Sequence, residues 1–182
     1  MEQEMQELRV TSLGVDKTSG TPVVILKEKD GERLLPIWIG PGEASAIAME
    51  MAGIHLARPL THDLFSAVVR ALGGELVRVL ITKVIDNTYF ASLVFHRDGE
   101  YVSIDSRPSD GVALALRAEA PIYADETLLE ISSIEVEEAT FDGEAMPSAL
   151  VDDALAETKG MEEPLRDYLK NLRPEDFGRF EP

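Results

Sequence analysis

Side chains suited to phosphate chemistry cluster at residues 58–64, Arg-Pro-Leu-Thr-His-Asp-Leu. Phosphodiester cleavage needs a group that moves a proton, a cation that stabilises charge on the phosphate and often a metal held by carboxylates. His62 suits the first role, Arg58 the second and Asp63 the third or an orienting role, while Thr61 adds a hydroxyl as a substrate ligand. A structural role fits the same residues, because Thr61 is a favoured helix N-cap and an acid in the first turn complements the helix dipole.

A second polar cluster, Asp-Ser-Arg-Pro-Ser-Asp, occupies residues 105–110 at a predicted strand-to-helix junction. The backbone donors at such a helix start favour an anion, and the fork of Arg107 suits a phosphate. Asp105 is a second candidate catalytic carboxylate, and Asp63, Asp105 and Asp110 are candidate oxygen ligands for Mg²⁺ or Mn²⁺. Against a catalytic role for Asp110, an acid two residues after a proline is ordinary at helix starts, and Glu43 repeats that pattern.

The remaining aromatic and imidazole side chains carry weaker signals. Trp38, on an apolar strand, has a ring that could stack on a base, although a large aromatic in such a place is more often core. His55 and His96 are isolated, and we interpret both as structural or surface residues. The sequence has no glycine-rich phosphate loop, no Gly-x-Ser-x-Gly elbow and no His-Glu-x-x-His motif.

Period-two and turn patterns predict the elements that must position these clusters. The predicted strands are residues 6–16, 22–29, 33–39, 75–85, 88–96 and 101–105, with a short strand and a helical turn within 121–134. The predicted helices are residues 44–51, opened by Pro41 and Glu43, residues 61–72, and a helix from Pro108. Small residues on these helices allow close approach to a sheet, so we expect an α+β fold of mixed sheet layers.

Two parts of the chain match each other. Residues 41–49 align with residues 108–116 at a constant offset of 67, sharing a proline, an acid and an Ala-x-Ala spacing. The turn signal Asp30-Gly31-Glu32 aligns with residues 98–100 at an offset of 68. We interpret this as a duplicated three-strand-plus-helix unit with the helix at 61–72 inserted between the copies; chance similarity of two amphipathic segments is the alternative.

Composition and charge divide the 182-residue chain. Residues 1–120 carry 17 acids and 12 bases, whereas residues 121–182 carry 17 acids and 5 bases, so most of the net charge of −17 lies in the last third. We predict a domain at residues 1–135, an acidic linker at 136–160 and a short amphipathic helix with a tail at 161–182. The absence of cysteine, signal peptide and apolar span favours a cytoplasmic protein, and the acidity argues against broad binding to nucleic acid.

Several of these segments together resemble the bifunctional nuclease (BFN) domain family. The resemblance rests, in order, on residues 36–40 (Pro-Ile-Trp-Ile-Gly), the cluster at 58–64, residues 106–110, the Ala-x-Ala-x-Arg of 113–117 and residues 121–123. It spans roughly residues 7–135 and implies a small α+β domain, self-association into a homo-oligomer and nuclease activity on both DNA and RNA. It carries no assignment of catalytic residues.

These observations are consistent with three functions. The first is a nuclease with His62 as general acid/base, Arg58 and Arg107 as phosphate ligands, and Asp63 and Asp105 as metal or orienting groups. The second is a non-catalytic oligomeric module that binds an anionic ligand and recruits a protein partner through the C-terminal helix. The third is a hydrolase of a small phosphorylated metabolite, which suits the acidic surface better than a polynucleotide does.

Overall fold

The computed structural model describes residues 4–16, 19–132 and 134–135. Its strands are β1 (Met5–Val15), β2 (Pro22–Glu28), β3 (Arg33–Trp38), β4 (Glu75–Ile85), β5 (Thr88–Arg97), β6 (Glu100–Ser106), β7 (Ile122–Asp125) and β8 (Ile134–Glu135). Its helices are α1 (Pro41–Met51), α2 (Thr61–Ala71), α3 (Pro108–Ala118) and α4 (Glu126–Ser132). The predicted acidic linker and C-terminal helix, residues 136–182, lie outside the described residues.

The eight strands form one mixed sheet in the order β6-β5-β4-β7-β1-β2-β3-β8. Neighbouring strands are antiparallel except for β4 and β7, which run parallel. Two antiparallel three-strand groups, β1-β2-β3 and β4-β5-β6, are thus joined through β7, and the predicted α+β class is confirmed. Three strands and a helix recur in each half, but the duplication itself stays an interpretation.

The β4–β5 and β5–β6 hairpins form where turn residues tolerate a left-handed backbone. Asp98 and Gly99 have φ angles of 52° and 84°, and Asp86 and Asn87 have φ angles of 48° and 59°. Two consecutive residues of positive φ are what a two-residue hairpin loop requires, because that turn matches the twist of its strands. The predicted turn at Asp98-Gly99 therefore sets the register that places Asp105 opposite Ser92.

Helices α1 and α3 pack against each other, and α3 also packs on β4 and β5. Gly111 makes this possible: a Cβ added there would lie 2.8 Å from Val79 Cγ1, so a side chain would collide with the sheet. A proline opens each of the two helices, and α3 buries most of its first two turns. The start of α3, with Arg107 and Asp110, is therefore held firmly against the core.

Helix α2 differs from the other two long helices because none of its residues is fully buried. It lies beside α3 and touches β4, with Phe65 packed on Phe95 at a ring-centroid distance of 6.3 Å. Its other large apolar side chains, Leu64 and Val68, face outward. None of the described helices has the length and hydropathy that a membrane span requires.

Candidate active site

The two polar clusters meet in one pocket of about 540 Å³ between α2, α3, β5 and β6. We call it the dyad pocket. Its polar lining includes Thr61, His62, Asp105, Arg107 and Asp110. The first two stand in the first turn of α2, and the others lie at the end of β6 and the start of α3. Its apolar floor comes from β5, through Phe90 and Leu93 among others, so polar groups converge over a hydrophobic base.

A histidine–carboxylate pair stands in this pocket. His62 Nε2 lies 3.1 Å from Asp110 Oδ1, and both side chains are partly buried. A carboxylate is an acceptor only, so the hydrogen bond selects the tautomer in which Nε2 carries the proton. The remaining ring nitrogen, Nδ1, then keeps a lone pair that can accept a proton. Such an oriented imidazole is the usual form of a histidine general base.

Arg107 lies across the mouth of the pocket, held by two carboxylates. Its Nε donates to Asp110 Oδ2 at 3.1 Å, and one terminal nitrogen lies 2.9 Å from Glu43 Oε1. The hydrogen bond to Asp110, followed by the charges of Asp110 and Glu43, raises the pKa of Arg107. Because 68% of the Arg107 side chain is exposed, a phosphate in solution has direct access to its guanidinium.

The structure places Asp63 outside this group. Its Oδ1 accepts a hydrogen bond from Arg117 Nε at 2.5 Å and its Oδ2 accepts one from the Leu60 N–H at 2.8 Å. Burial is the largest single influence on this carboxyl and opposes its ionisation, but Arg117, the Leu60 N–H and His62 together hold its pKa below the usual value. The geometry favours a structural role, in which Asp63 neutralises the buried Arg117 and caps α2.

The remaining candidates fall into different surroundings. Asp105 lines the dyad pocket on the exposed strand β6, whereas Arg58 is exposed and forms no ion pair with any described residue. Thr61 lines the pocket but is not the N-cap, so that expectation was wrong: Leu60 holds the cap position. Asp63 satisfies the backbone N–H of Leu60 instead, which leaves the Thr61 hydroxyl free of capping.

The expectation that Trp38 belongs to the core was also wrong. Its side chain is 48% exposed and lines a separate pocket of about 320 Å³ on the other side of Arg107. Trp38 is the last residue of β3, and Ile39 and Gly40 separate it from α1. Ile37 and Ile39 on either side of it are buried, so Trp38 lies on the opposite, exposed face of the extended segment.

The predicted metal ligands do not form one cluster. Asp105 and Asp110 line the dyad pocket, whereas Asp63 lies outside its lining and is bonded to Arg117 and the Leu60 N–H. The Asp110 oxygens also carry bonds, to His62 and Arg107, but both of these partners belong to the pocket. In residues 4–16, 19–132 and 134–135, no three His, Cys, Asp or Glu side chains are grouped so as to hold a metal ion. Two carboxylates remain in the pocket, the number with which Mg²⁺ often binds beside substrate phosphates.

Two site residues escaped sequence reasoning. Glu43 aligns with Asp110 in the proposed duplication, but only the structure shows that both acids bind the same arginine. Arg117, with 6% of its side chain exposed, also donates to the carbonyl oxygens of Ala113 and Ala46 and so ties α1, α2 and α3 together. The regular Ala-x-Ala-x-Arg spacing on α3 was the available signal, because it puts an arginine on the buried helix face.

Comparison with known proteins agrees with the resemblance in the sequence. The family model of the bifunctional nuclease domain matches residues 24–137. An uncharacterized protein of Mycobacterium tuberculosis is 38% identical over 173 residues, covering 95% of this chain and 98% of that protein. Bifunctional nuclease 1 of Arabidopsis thaliana is 33% identical over 111 residues, and Bifunctional nuclease 2 of Oryza sativa subsp. japonica is 28% identical over 118 residues.

These two plant matches cover 59% and 63% of this chain but only 34% and 36% of the plant proteins. The matched part of this chain holds the two polar clusters and the helices that position them. The family model alone spans more than half of the 182 residues. The chain therefore belongs to the bifunctional nuclease domain family.

Proposed function

We propose that this protein is a nuclease that hydrolyses phosphodiester bonds of both RNA and DNA in the dyad pocket. The observation that carries the proposal is the hydrogen bond of His62 to Asp110 at 3.1 Å, beside an arginine that is open to solvent. Family membership supports the reaction class, because the plant relatives are named as bifunctional nucleases.

The residues divide the work as follows. His62, oriented by Asp110, accepts a proton from the attacking water as the water oxygen bonds to phosphorus. The leaving oxygen keeps the electron pair of the broken P–O bond and takes a proton from solvent. A substrate that lacks a 2′-hydroxyl can still be attacked by water, so activation of water serves RNA and DNA alike. Arg107 binds the non-bridging phosphate oxygens and offsets the charge that grows on them during attack. Arg58 and the Thr61 hydroxyl are further phosphate ligands in this proposal.

The excess of carboxylates over cations in the site makes a divalent cation a useful addition. Glu43, Asp105 and Asp110 outnumber Arg107, so a phosphate approaching the pocket meets net negative charge. We include Mg²⁺ or Mn²⁺ in the proposal, with Asp105 and Asp110 as the carboxylates that would hold it. Such an ion supplies charge stabilisation at the phosphate.

Cleavage of labelled single-stranded RNA and DNA by highly purified protein tests the function. His62→Ala should lower the rate at least about 100-fold, since general base catalysis typically contributes 10²–10⁴-fold. His96→Ala, prepared identically, is the matched control and should keep the wild-type rate, because His96 lies on β5 against Tyr101 and outside the pocket lining. Full activity in His62→Ala would remove this assignment.

The same cleavage assay also tests whether the reaction requires a divalent metal. EDTA should abolish cleavage, Mg²⁺ or Mn²⁺ should restore it, and Asp105→Asn should raise the metal concentration needed for half-maximal rate. Undiminished cleavage in EDTA would remove the metal from the proposal and leave the histidine–carboxylate pair in place. No cleavage by wild-type protein under any condition would favour the binding-module alternative.

One observation favours that alternative, or self-association alongside catalysis. Large apolar side chains are exposed on α2, on the residue that follows it and on the edge strand β6. They are Leu64, Phe65, Val68, Leu72, Val102 and Ile104. Strand β6 pairs only with β5 among the described strands, so its outer edge presents unpaired backbone groups beside this apolar surface. Open edges of this kind bind other strands unless they are protected.

A second copy of the chain is the occupant we propose for this surface. Two β6 strands pairing antiparallel about Ser103 would place Val102 opposite Ile104 and Tyr101 opposite Asp105. Glu100 would face Ser106, so no like charges would be directly opposed. A two-fold contact of this type is self-complementary, as symmetric dimers require.

A further inference from the structure

The exposed tryptophan pocket adjoins the dyad pocket. The two cavities share Thr88, Tyr89 and Arg107 in their linings, so Arg107 and Tyr89 form the wall between them. A phosphate bound at Arg107 would therefore lie at the entrance to both. Whatever is attached to that phosphate can extend into the tryptophan pocket, whose volume is about 320 Å³.

The Trp38 ring is held in place although nearly half of it is exposed. Its indole Nε1 donates a hydrogen bond to Asp16 Oδ2 at 3.0 Å, across from β3 to the end of β1. Packing alone does not account for this position, because an exposed apolar ring lacks the stabilisation that burial in the core would give. A restrained aromatic face beside a phosphate-binding arginine is the arrangement that stacks nucleobases.

Polar groups in the same pocket suit the edge of a base. Asn87 lies in the β4–β5 turn, and Thr21 precedes β2. Both line the cavity, and both have side chains that donate and accept hydrogen bonds. A mixed lining of this sort, with one flat aromatic surface, fits a heteroaromatic ring better than it fits a sugar or an aliphatic group.

We propose that the tryptophan pocket is a base-binding subsite, in which the nucleobase next to a phosphate held by Arg107 stacks on Trp38. The inference rests on the proposed nuclease function and extends it. It also orients the substrate, because the base next to the bound phosphate would lie on the tryptophan side of Arg107. Trp38 is a substrate-binding residue here, and it takes no part in proton transfer. Stacking tolerates any base, which suits the proposed activity on both RNA and DNA.

The test uses Trp38 as its own probe, because it is the only tryptophan in the 182-residue chain. Adenosine 5′-monophosphate should quench the intrinsic fluorescence of the full-length protein saturably. Ribose 5-phosphate and inorganic phosphate, which lack a base, should compete at Arg107 without quenching by themselves. An unchanged spectrum at adenosine 5′-monophosphate concentrations far above those that occupy the site by equilibrium dialysis would overturn the proposal.

Substitutions add a second measurement. Trp38→Ala should weaken binding of adenosine 5′-monophosphate about 5- to 150-fold in equilibrium dialysis, the loss that corresponds to 1–3 kcal/mol per stacked base. Trp38→Phe keeps an aromatic face and should lose much less. The control is Ile131→Ala, which removes another exposed apolar side chain, on α4 outside this pocket, and should bind as wild type does. Equal affinity in Trp38→Ala and wild type would also overturn the proposal.

This readout is independent of cleavage, because adenosine 5′-monophosphate contains no phosphodiester bond. Quenching by this nucleotide together with no cleavage of any polynucleotide would support the subsite and remove the nuclease. If the wild-type protein cleaves polynucleotides but adenosine 5′-monophosphate does not quench its fluorescence, and Trp38→Ala binds this nucleotide as tightly as wild type, the nuclease function stands and the subsite does not. Circular dichroism of each variant verifies the fold, and the phenylalanine variant keeps the test decisive if the alanine variant is unstable.

Discussion

Arg107 receives one carboxylate from each half of the domain. Glu43 and Asp110 occupy matching positions after the prolines that open α1 and α3, and both bind this arginine. Gly40 stands where the second half has Arg107; a Cβ there would come within 2.4 Å of Glu43 Oε2, so the missing side chain leaves room for the Glu43 carboxylate. This one difference between two similar helix starts places an arginine between two carboxylates, and in the proposed function that arginine binds the substrate phosphate.

A second ion pair at residue scale serves stability. Asp63→Asn should lower the free energy of unfolding by about 2 kcal/mol at pH 7, because the substitution leaves the buried Arg117 with only Glu50, 3.7 Å away, as a charged partner. Loss of a partner from a fully buried pair costs about 3–5 kcal/mol, and the 35% exposure of Asp63 reduces that figure. Asparagine still accepts the Leu60 N–H, so the substitution isolates the charge. Urea unfolding measures the effect.

The pH dependence of this effect has a definite sign. The folded state lowers the pKa of Asp63 below its usual 3.8, so the stabilisation is complete above the unfolded value and disappears as the pH falls toward the folded value. The gap between Asp63→Asn and wild type should therefore be constant near neutrality and close below about pH 4. Asp98→Asn, in an exposed pair with Arg97, is the control and should change stability by less than about 0.5 kcal/mol.

The polar clusters were recognisable from residue type, but their connections were not. Nothing local in the sequence indicates that His62 pairs with Asp110, 48 positions away, while Asp63 beside it faces Arg117. Neighbouring residues in a first helical turn point about 100° apart, and tertiary packing decides which direction leads to a pocket. The burial of Trp38 was mispredicted for a similar reason. The residues around it are apolar on both faces of the strand, and only packing decides that Ile37 and Ile39 are buried while Trp38 between them is exposed.

At the scale of elements, the bounds of strands and helices were predictable to within a few residues. Asp-Gly turns, opening prolines and the Gly73-Gly74 helix stop are local signals, and positive φ at Asp98, Gly99 and Gly73 shows why those residues stand there. The exposure of α2 was not predictable. Local signals give its bounds but not its surroundings, and Leu64, Phe65 and Val68 are all exposed.

The contact of α3 with the sheet gives a prediction at this scale. Gly111→Ala should destabilise the protein by about 1 kcal/mol, because the new methyl would lie 2.8 Å from Val79 Cγ1 in a fully buried position. Overpacking typically costs 1–3 kcal/mol, and the better helix propensity of alanine offsets part of this. Thermal and urea unfolding of the single variant measure the net effect.

Two further variants make the Gly111 experiment decisive. Gly42→Ala, at the start of α1, has nothing within 4 Å of the added Cβ and should be neutral or stabilising. In a Val79→Ala background the space exists, so Gly111→Ala should cost nothing there. Equal destabilisation by Gly111→Ala in both backgrounds would show that close approach to Val79 is not the reason for the glycine.

At the scale of the whole molecule, two properties oppose each other. The net charge of −17 repels a second copy, whereas the exposed apolar surface of α2 and the open edge of β6 favour one. Salt screens the repulsion over about 8–10 Å at moderate ionic strength and leaves apolar contact unaffected or stronger. Self-association should therefore become stronger as the salt concentration rises, whereas a dimer held by ion pairs would become weaker.

This opposition leads to a prediction about the oligomer. Sedimentation should show a dimer whose dissociation constant falls as sodium chloride is raised, and Val68→Glu combined with Val102→Glu should yield a monomer at every salt concentration. Both positions are nearly half exposed, so each substitution is tolerated by the fold while two acids enter the proposed contact. The control, Ile131→Glu, adds an acid at an exposed apolar position on α4 and should remain dimeric. A dimer that persists in the double variant would place the contact elsewhere, and a dimer that weakens with salt would indicate ion pairs in its interface.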